Sequence, residues 1–306
     1  MAETRQTLWK TPAPGRDRCG DSPLRVRWLT TGGNVKSLNT ELLMCDAENF
    51  RIDYVINPYM HTGRQPDRLA VLAEHEAIAK THAAAGRTVR FMKSAPECPD
   101  MVYTANGALV AGGRAVLGAP PAPRRPEIPY VRAWLTAYGL EVHDAPYAFS
   151  GQGDALVCGP LLLAGHGQRT DRRMHAVLAD LFGHEIVPLR TAGEQWYDLD
   201  LAVGVIDART VAYCPQALEP ESAARLHGLG LDLIEVSLEE AAGFALNLVS
   251  DGTTVTMTAG APRFATALRE RGLDVVELDT TELRKGGGGV RCTALTLDHP
   301  APGTRG

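Results

Sequence analysis

The sequence predicts an α/β fold built from five similar units, each with two hairpin strands, a helix and a closing strand. Two observations lead to this prediction. Four hairpin-like segments recur with turns about 45 residues apart, a spacing typical of repeat architectures. Each hairpin is followed by a helix-like segment and a short further strand. A closed ring of five such ββαβ units, with pseudo-fivefold symmetry, brings residues from every unit to one central site.

The turns of the four hairpins carry residues that tight turns need. Glycine and the pair Asp-Gly adopt the backbone conformations of short hairpin turns more readily than other residues. The predicted turns lie at Gly112-Gly113, Gly159-Pro160, Asp207-Ala208 and Asp251-Gly252. The alternative is an ordinary α/β sheet whose segments are alike by accident, and the even spacing favours the repeat.

The segments after the hairpins begin and end as helices do. Proline is favoured in the first helical turn and glycine just past the last. Three of the four segments begin with a proline, at Pro129, Pro220 and Pro262. The remaining one has Thr170 or Asp171 as its predicted N-cap and ends at Gly183.

A first unit is visible without a complete hairpin. Its predicted strand is FRIDYVINP (50–58), its helix spans 66–86, and its closing strand is RTVRFM (87–92). The chain end, GVRCTALTLDH (289–299), could supply the missing strand and close the ring. Residues 1–35 are rich in Arg, Pro and Gly without a period, so we expect an N-terminal extension followed by a single catalytic domain over 36–306.

Composition excludes several classes of protein. The 306 residues are 44% hydrophobic and 22% charged, with a net charge of -5, which gives no reason to expect a nucleic-acid or membrane partner. No apolar run reaches the ~18 residues of a membrane span, and the polar N-terminus predicts a cytoplasmic protein. The six cysteines are scattered singly, so we expect free thiols, no metal site and no cofactor. The mild acidity suits a small cationic substrate.

One cysteine stands out. Cys292 follows four consecutive glycines, Gly286 to Gly289, in the segment KGGGGVRCTAL. Glycines allow backbone to approach a ligand closely, and a thiolate is a strong nucleophile where its surroundings favour ionisation. The residues alone leave two interpretations open: Cys292 is a nucleophile, or it is a buried strand residue beside a flexible loop.

Six motifs in order give the chain a family resemblance. They are INPYM, PDMVYTANGALV, GDAL followed by AGHGQRTD, YDLDLAV, ALNLVSDG and GGGGVRCTAL, and the similarity as a whole runs from about residue 44 to 297. The sequence resembles the superfamily of dimethylarginine dimethylaminohydrolases, arginine deiminases and amidinotransferases. The resemblance implies a five-bladed αβ propeller, the pentein fold, with Cys292 as nucleophile. It also implies a small amino-acid-like guanidine substrate and is compatible with a homodimer.

The resemblance extends to residues around the substrate. Asp200 and Asp154 match acids that hold the guanidine or support the site, and carboxylates suit the fork of guanidinium donors. Asn106 occupies a position where some relatives carry an aspartate, and Arg169 is matched to a partner of the substrate carboxylate. The remaining expected substrate-side residues are Asn247, Gln152 and Ser150. Asn247 either bonds the substrate or shapes the strand end.

The sequence departs from the family pattern at the proton-transfer pair. The usual His-Leu-Asp reads Asp198-Leu199-Asp200, and the stretch Ser150 to Asp154 lacks the usual glutamate. In the family that histidine protonates the departing amine and then activates water. Three explanations follow: the protein is inactive; Asp198 serves as the acid, with a pKa raised by burial beside Asp200; or His166 has taken over.

The expected function is therefore a cysteine-dependent enzyme that acts on the guanidine C–N bond of an arginine-like substrate through a covalent adduct on Cys292. Water or an amine would resolve the adduct, which makes the chain a hydrolase or an amidinotransferase. Two alternatives remain: an acyl or amide transferase, and a non-catalytic ligand-binding protein.

Overall fold

The computed structural model describes residues 38–302, in which the strands form five three-stranded sheets with one common design. In every sheet the middle strand pairs antiparallel with one neighbour and parallel with the other. In chain order the strands are β1 Glu41–Cys45, β2 Thr88–Met92, β3 Ala108–Ala111, β4 Arg114–Leu117, β5 Glu141–His143, β6 Ala155–Cys158, β7 Leu161–His166, β8 Glu185–Arg190, β9 Val203–Val205, β10 Thr210–Tyr213, β11 Asp232–Glu235, β12 Val249–Ser250, β13 Thr254–Thr258, β14 Asp274–Leu278 and β15 Leu295–Thr296. The sheet orders are β15-β1-β2, β3-β4-β5, β6-β7-β8, β9-β10-β11 and β12-β13-β14.

All four predicted hairpins form, with their turns at the predicted places. Gly112 and Gly113 join β3 to β4 with φ values of 57° and 77°, the left-handed conformation that a two-residue hairpin turn requires. The hairpins β6-β7, β9-β10 and β12-β13 are antiparallel as well, and Gly159 and Gly252 take the left-handed conformation in two of their turns. The even spacing of turn residues along the sequence therefore reflects a real structural repeat.

The fifth sheet is completed by the end of the chain, as predicted. β15 pairs antiparallel with β1, with Leu42 opposite Thr296 and Leu43 opposite Leu295. β1 lies between β15 and β2, and four of its five residues are buried. This pairing places Cys292 three residues before the strand that joins the two ends of the described chain.

Five of the six described helices lie between the two parallel strands of a sheet, and the fifth in chain order instead connects two sheets. The helices are α1 Arg68–Ala84, α2 Ile128–Tyr138, α3 Met174–Phe182, α4 Pro220–His227, α5 Leu238–Ala242 and α6 Pro262–Glu270. Gly139 and Gly183 end α2 and α3 in the left-handed conformation. No helix among residues 38–302 is long and apolar enough to cross a membrane.

Two local predictions are wrong, and one helix was not predicted. Residues 50–58 form no strand, and the side chain of Gln65 bonds both backbone groups of Ile52 in place of a neighbouring strand. The N-cap of α3 is Arg173, since the Thr170 hydroxyl donates to Asp154 instead of capping a helix. The short α5 was not expected, although its N-cap Ser237 and the glutamate three residues on resemble a capping box.

Short turns of 3₁₀ helix position the site. One turn lies immediately before the first strand of each of three sheets, at Thr104–Gly107, Gly151–Gly153 and Leu199–Leu201. A fourth, Leu283–Gly286, leads into the glycine run before Cys292. Hydrogen bonds and close contacts join these turns to one another, so their side chains meet in one buried cluster. The 1–35 extension lies outside the described residues.

Candidate active site

Cys292 lies in a buried turn that Asn247 holds together. The side-chain oxygen of Asn247, Oδ1, accepts from the backbone N–H groups of Gly289, Arg291 and Cys292, at 3.1, 3.0 and 3.2 Å. Its amide nitrogen donates to the Cys292 sulfur at 3.1 Å. Asn247 therefore contacts the candidate nucleophile directly, and both ends of its amide serve this turn.

The glycine run before Cys292 is closely packed. A Cβ at Gly288 would lie 2.3 Å from the Tyr103 ring and 2.9 Å from Cβ of Cys292, far inside van der Waals contact. Gly287 has φ 96°, which other residues rarely adopt. The glycines thus allow this turn to pack against Tyr103, a role for the glycine run that differs from that of a loose loop.

Asp200 is the carboxylate nearest the thiol. Its Oδ2 lies 3.4 Å from the Cys292 sulfur, and its Oδ1 is buried with no hydrogen-bond partner in the described structure. Burial raises the pKa of Asp200 well above its usual range, and Asp198 raises it further. Burial and then Asp200 raise the pKa of Cys292 as well. Two such groups in contact disfavour double ionisation, so a proton is held between them.

Asp198 is surrounded by donors. The Ser150 hydroxyl donates to its Oδ1 at 2.7 Å, and the amide of Asn106 donates to its Oδ2 at 2.9 Å. Arg169 reaches the same Oδ2 at 3.4 Å. Three donors point at this carboxylate, so it serves as a hydrogen-bond acceptor, whereas a general acid must donate a proton. The geometry therefore does not match the expectation that Asp198 is the general acid.

A buried ion pair fixes the orientation of Asn106. Arg124 and Glu127 pair through two hydrogen bonds of 2.9 and 2.8 Å, and both residues are buried. Arg124 also donates to Oδ1 of Asn106 at 2.8 Å, which leaves the amide nitrogen facing Asp198 and Ser150. Asn106 is thus engaged by the protein at both ends, unlike the substrate-facing residue that the sequence suggested.

Asp154 and Gln152 act as connectors. Asp154 accepts from the backbone N–H of Leu199 at 2.9 Å and from the Thr170 hydroxyl at 2.6 Å. Burial raises the pKa of Asp154, with a further rise caused by Asp198. Gln152 accepts from Arg291 at 2.8 Å and bonds both backbone groups of Thr296. We expected both residues on the substrate side, but their polar atoms link neighbouring units.

Arg169 stands between the cluster and an open cleft. Its guanidinium lies over the Tyr197 ring, 4.0 Å from the centroid, and it also donates to the carbonyl of Ile56. The cleft has a volume of about 780 Å³, and Arg169, Tyr197 and Ile56 line it. On the other side Arg169 reaches Asp198. This position suits a residue that meets a substrate entering from the cleft.

His166 does not join this cluster. It ends β7 with its ring 5.4 Å from that of His175, and burial together with His175 and Arg172 lowers its pKa to about 4. Within residues 38–302, none of its recorded contacts reaches Cys292, Asp198 or Asp200. The structure therefore gives no support to a relocated histidine.

Several residues of the site escaped the sequence analysis. Arg124 and Glu127, three residues apart in a proline-rich stretch, look like an exposed surface pair, and only the fold shows that they are buried. Tyr197 and Thr170 lay beside residues that had been singled out. Their signal was membership of the YDLD and GQRTD motifs, in which Thr170 had been considered only as a helix cap.

Comparison with known proteins gives concordant matches. The family model described as N,N dimethylarginine dimethylhydrolase, eukaryotic, matches residues 56–297. The N(G),N(G)-dimethylarginine dimethylaminohydrolase of Mycobacterium tuberculosis is 37% identical over 82% of this chain and 83% of that protein. The bifunctional arginine dihydrolase/ornithine cyclodeaminase ArgZ of Synechocystis is 32% identical over 85% of this chain, which spans only 38% of that longer protein.

Solved structures resemble the fold closely. The N-terminal domain of cyanobacterial ArgZ, an arginine dihydrolase, superposes with a TM-score of 0.82 at 30% identity, covering 86% of this chain and 98% of that domain. A dimethylarginine dimethylaminohydrolase with an S-methyl-L-thiocitrulline adduct shares the fold at a TM-score of 0.72 and 21% identity, over 84% and 98% of the two chains. From the family match and the 37% identical relative we conclude that the chain belongs to the N,N-dimethylarginine dimethylhydrolase family.

Proposed function

We propose that this protein is a cysteine-dependent hydrolase that cleaves an amidino C–N bond of an arginine-like substrate. One observation carries the proposal: the Cys292 sulfur lies 3.4 Å from the Asp200 carboxylate, whose other oxygen has no partner in the described structure. A buried acceptor without a partner is costly, so a ligand with N–H donors is the natural complement. The relatives named as dihydrolases and dimethylaminohydrolases support hydrolysis rather than transfer.

The cationic end of the substrate fits between two carboxylates. Asp200 offers its unpaired Oδ1, and Asp198 is held in place by Ser150 and Asn106. A guanidinium presents donors in a planar fork that carboxylates satisfy well. In this arrangement the amidino carbon comes within reach of the Cys292 sulfur. Two carboxylates and one thiol favour a cation over a neutral amide, which argues against the acyl-transferase alternative.

The amino-acid end of the substrate fits the cleft. Arg169 forms part of the wall between the cleft and the cluster, with 9% of its side chain exposed. Its guanidinium is the natural partner for a substrate carboxylate, while the rest of the ligand occupies the cleft of about 780 Å³. Arg169 therefore fixes how far the guanidine end extends toward Cys292.

The reaction begins with attack of the Cys292 sulfur on the amidino carbon. The C–N bond to the departing amine breaks, and a positively charged S-amidino adduct remains on the cysteine. Water then attacks the same carbon and releases the thiol. Asn247 supports the sulfur throughout, since its amide donates to the sulfur and stabilises negative charge there.

Trapping the adduct tests this proposal. The protein is incubated with arginine, N,N-dimethylarginine and agmatine, quenched in acid and weighed intact. We expect an added mass equal to the substrate minus its departing amine on the wild type and none on Cys292→Ala. Cys214→Ala, which changes another buried cysteine, is the matched control and should keep the adduct. If no substrate gives an adduct or turnover, the non-catalytic binding protein becomes the better description.

The proposal includes the arrangement of the whole chain. We propose that the five sheets form the blades of a propeller around Cys292, and that residues 36–306 make one catalytic domain. The pairing of β15 with β1 and the like order of all five sheets support this arrangement. The five described cysteines are free thiols, which suits the reducing cytoplasm.

A further inference from the structure

We propose that Asp200 moves the protons in this enzyme: it takes the thiol proton of Cys292 and delivers it to the departing amine. This inference rests on the proposed function and adds to it, because it names the group that replaces the missing histidine. Proton transfer requires a group within hydrogen-bond reach of the reacting atom. Asp200 Oδ2 lies 3.4 Å from the Cys292 sulfur.

The other groups around the sulfur are unsuited to this task. Asn247 donates to the sulfur but its amide does not exchange a proton in catalysis. Asp198 accepts from three donors, and none of these hydrogen bonds involves the thiol. Arg291 is turned toward Gln152 and Thr296. Among the described residues near the thiol, Asp200 alone combines contact with the sulfur and a free oxygen.

A small internal cavity adds independent support. It has a volume of about 20 Å³, room for a single water, and Asp200 lines it together with Asn39, Arg291 and His299. Both ring nitrogens of His299 are buried without partners in the part of the chain described here. Asp200 thus contacts the thiol and also borders a water-sized space that it shares with Asn39, Arg291 and His299 and that apolar side chains otherwise line, which suits a carboxyl that gains and loses a proton.

In both half-reactions a proton transfer accompanies each bond that forms or breaks. As the S–C bond forms, the thiol proton moves to Oδ2 of Asp200; as the C–N bond breaks, that proton moves to the amine nitrogen. The S-amidino adduct then faces an ionised Asp200. This carboxylate takes a proton from water as the new O–C bond forms and returns it to the sulfur as the S–C bond breaks. The second water proton leaves with the released amine as ammonium.

Two substrates that differ in their leaving groups provide the test. Arginine releases an amine, which must be protonated, whereas S-methyl-L-thiocitrulline releases methanethiolate, which needs no proton. Both substrates carry the same kind of planar cation, so weaker binding of that cation slows both reactions equally. Asp200→Asn should slow first-turnover adduct formation from arginine by about 10²- to 10⁴-fold more than methanethiol release from the isothiourea.

Control variants separate proton transfer from binding. Asp198→Asn should slow both substrates by a similar factor, because we assign Asp198 to holding the cation. Asp200→Glu keeps a carboxyl group and should recover part of the arginine reaction, which also guards against simple misfolding of Asp200→Asn. Equal slowing of both substrates by Asp200→Asn would overturn the delivery of a proton from Asp200 to the departing amine, because a loss of thiol deprotonation or of binding slows both reactions alike. Failure of the wild type on both substrates would instead refute the proposed function.

Discussion

Arg124 fixes the side-chain amide of Asn106: its Nη1 donates to the Asn106 carbonyl oxygen at 2.8 Å, so the amide nitrogen faces Asp198. Because Arg124 is itself paired with Glu127 and buried, this orientation is built into the fold. The position therefore presents a donor to the cluster. A carboxylate there would present a second acceptor.

Asn106→Asp should accordingly destabilise the protein. The new oxygen would face Asp198 Oδ2 at a distance where the amide nitrogen now donates, 2.9 Å. Two carboxylates so close must share a proton or repel each other, at a cost of about 1–3 kcal/mol. Urea unfolding should show this loss at pH 7.5 and a smaller loss at pH 5. Asn49→Asp, at a less buried amide, is the control, and an equal loss at both pH values would contradict the prediction.

Gly288→Ala should abolish adduct formation. The added Cβ would lie 2.3 Å from the Tyr103 ring and 2.9 Å from Cβ of Cys292, so the turn that carries the candidate nucleophile must shift. We expect a fall in the melting temperature together with loss of the mass adduct. Gly63→Ala is the matched control, since a Cβ there meets nothing within 4 Å, and it should behave as the wild type. An active Gly288→Ala variant would show that the turn tolerates displacement.

Arg169→Gln should impair the reaction of substrates that carry a carboxylate more than that of substrates without one. Arg169 lies at the wall of the cleft, and we assign it to the carboxylate of an amino-acid substrate. The loss of this charge-assisted contact should raise KM for arginine by about 10-fold or more, as expected for ~1.5–3 kcal/mol. The KM for agmatine, which lacks the carboxylate, should rise much less. Similar losses for the two substrates would assign Arg169 to supporting Asp198 instead.

His184→Leu should make the protein less sensitive to acid. Burial lowers the pKa of His184 to about 4, and both ring nitrogens lack partners in the described structure. A histidine with a depressed pKa contributes stability above its unfolded pKa of ~6.5, and that stability is lost as pH falls toward about 4. The free energy of unfolding should therefore fall less between pH 7 and pH 4.5 in the variant. His61→Leu, at an exposed histidine, should leave the fall unchanged.

Local rules explain why much of the fold could be predicted from the sequence. The hairpin turns at Gly112-Gly113 and Asp251-Gly252 depend on backbone preferences of the turn residues themselves. Gly139 and Gly183 end helices for the same reason. No strand forms at 50–58, where the side chain of Gln65 satisfies the backbone of Ile52 from 13 positions along the chain, and no local pattern reveals such a contact.

The site was less predictable because its partners are far apart in the chain. Ser150 and Asn106 reach Asp198 across 48 and 92 positions, and only the meeting of three turns brings them together. The motif identified Asp198 as the departure from the family pattern, but its donors decide what it does. Asp200 was identified as a binding residue, and its contact with the Cys292 sulfur became visible only in three dimensions.

The pairing of β15 with β1 has a consequence for biosynthesis. A ribosome releases the first strand more than two hundred residues before its antiparallel neighbour exists, so the first sheet stays half formed until residues 295–296 have been made. Cys292 lies three residues before that late strand, so a chain that stops short of β15 lacks the strand pairing that follows the candidate nucleophile. Damage that removes β15 therefore affects the first sheet and the setting of Cys292 at the same time.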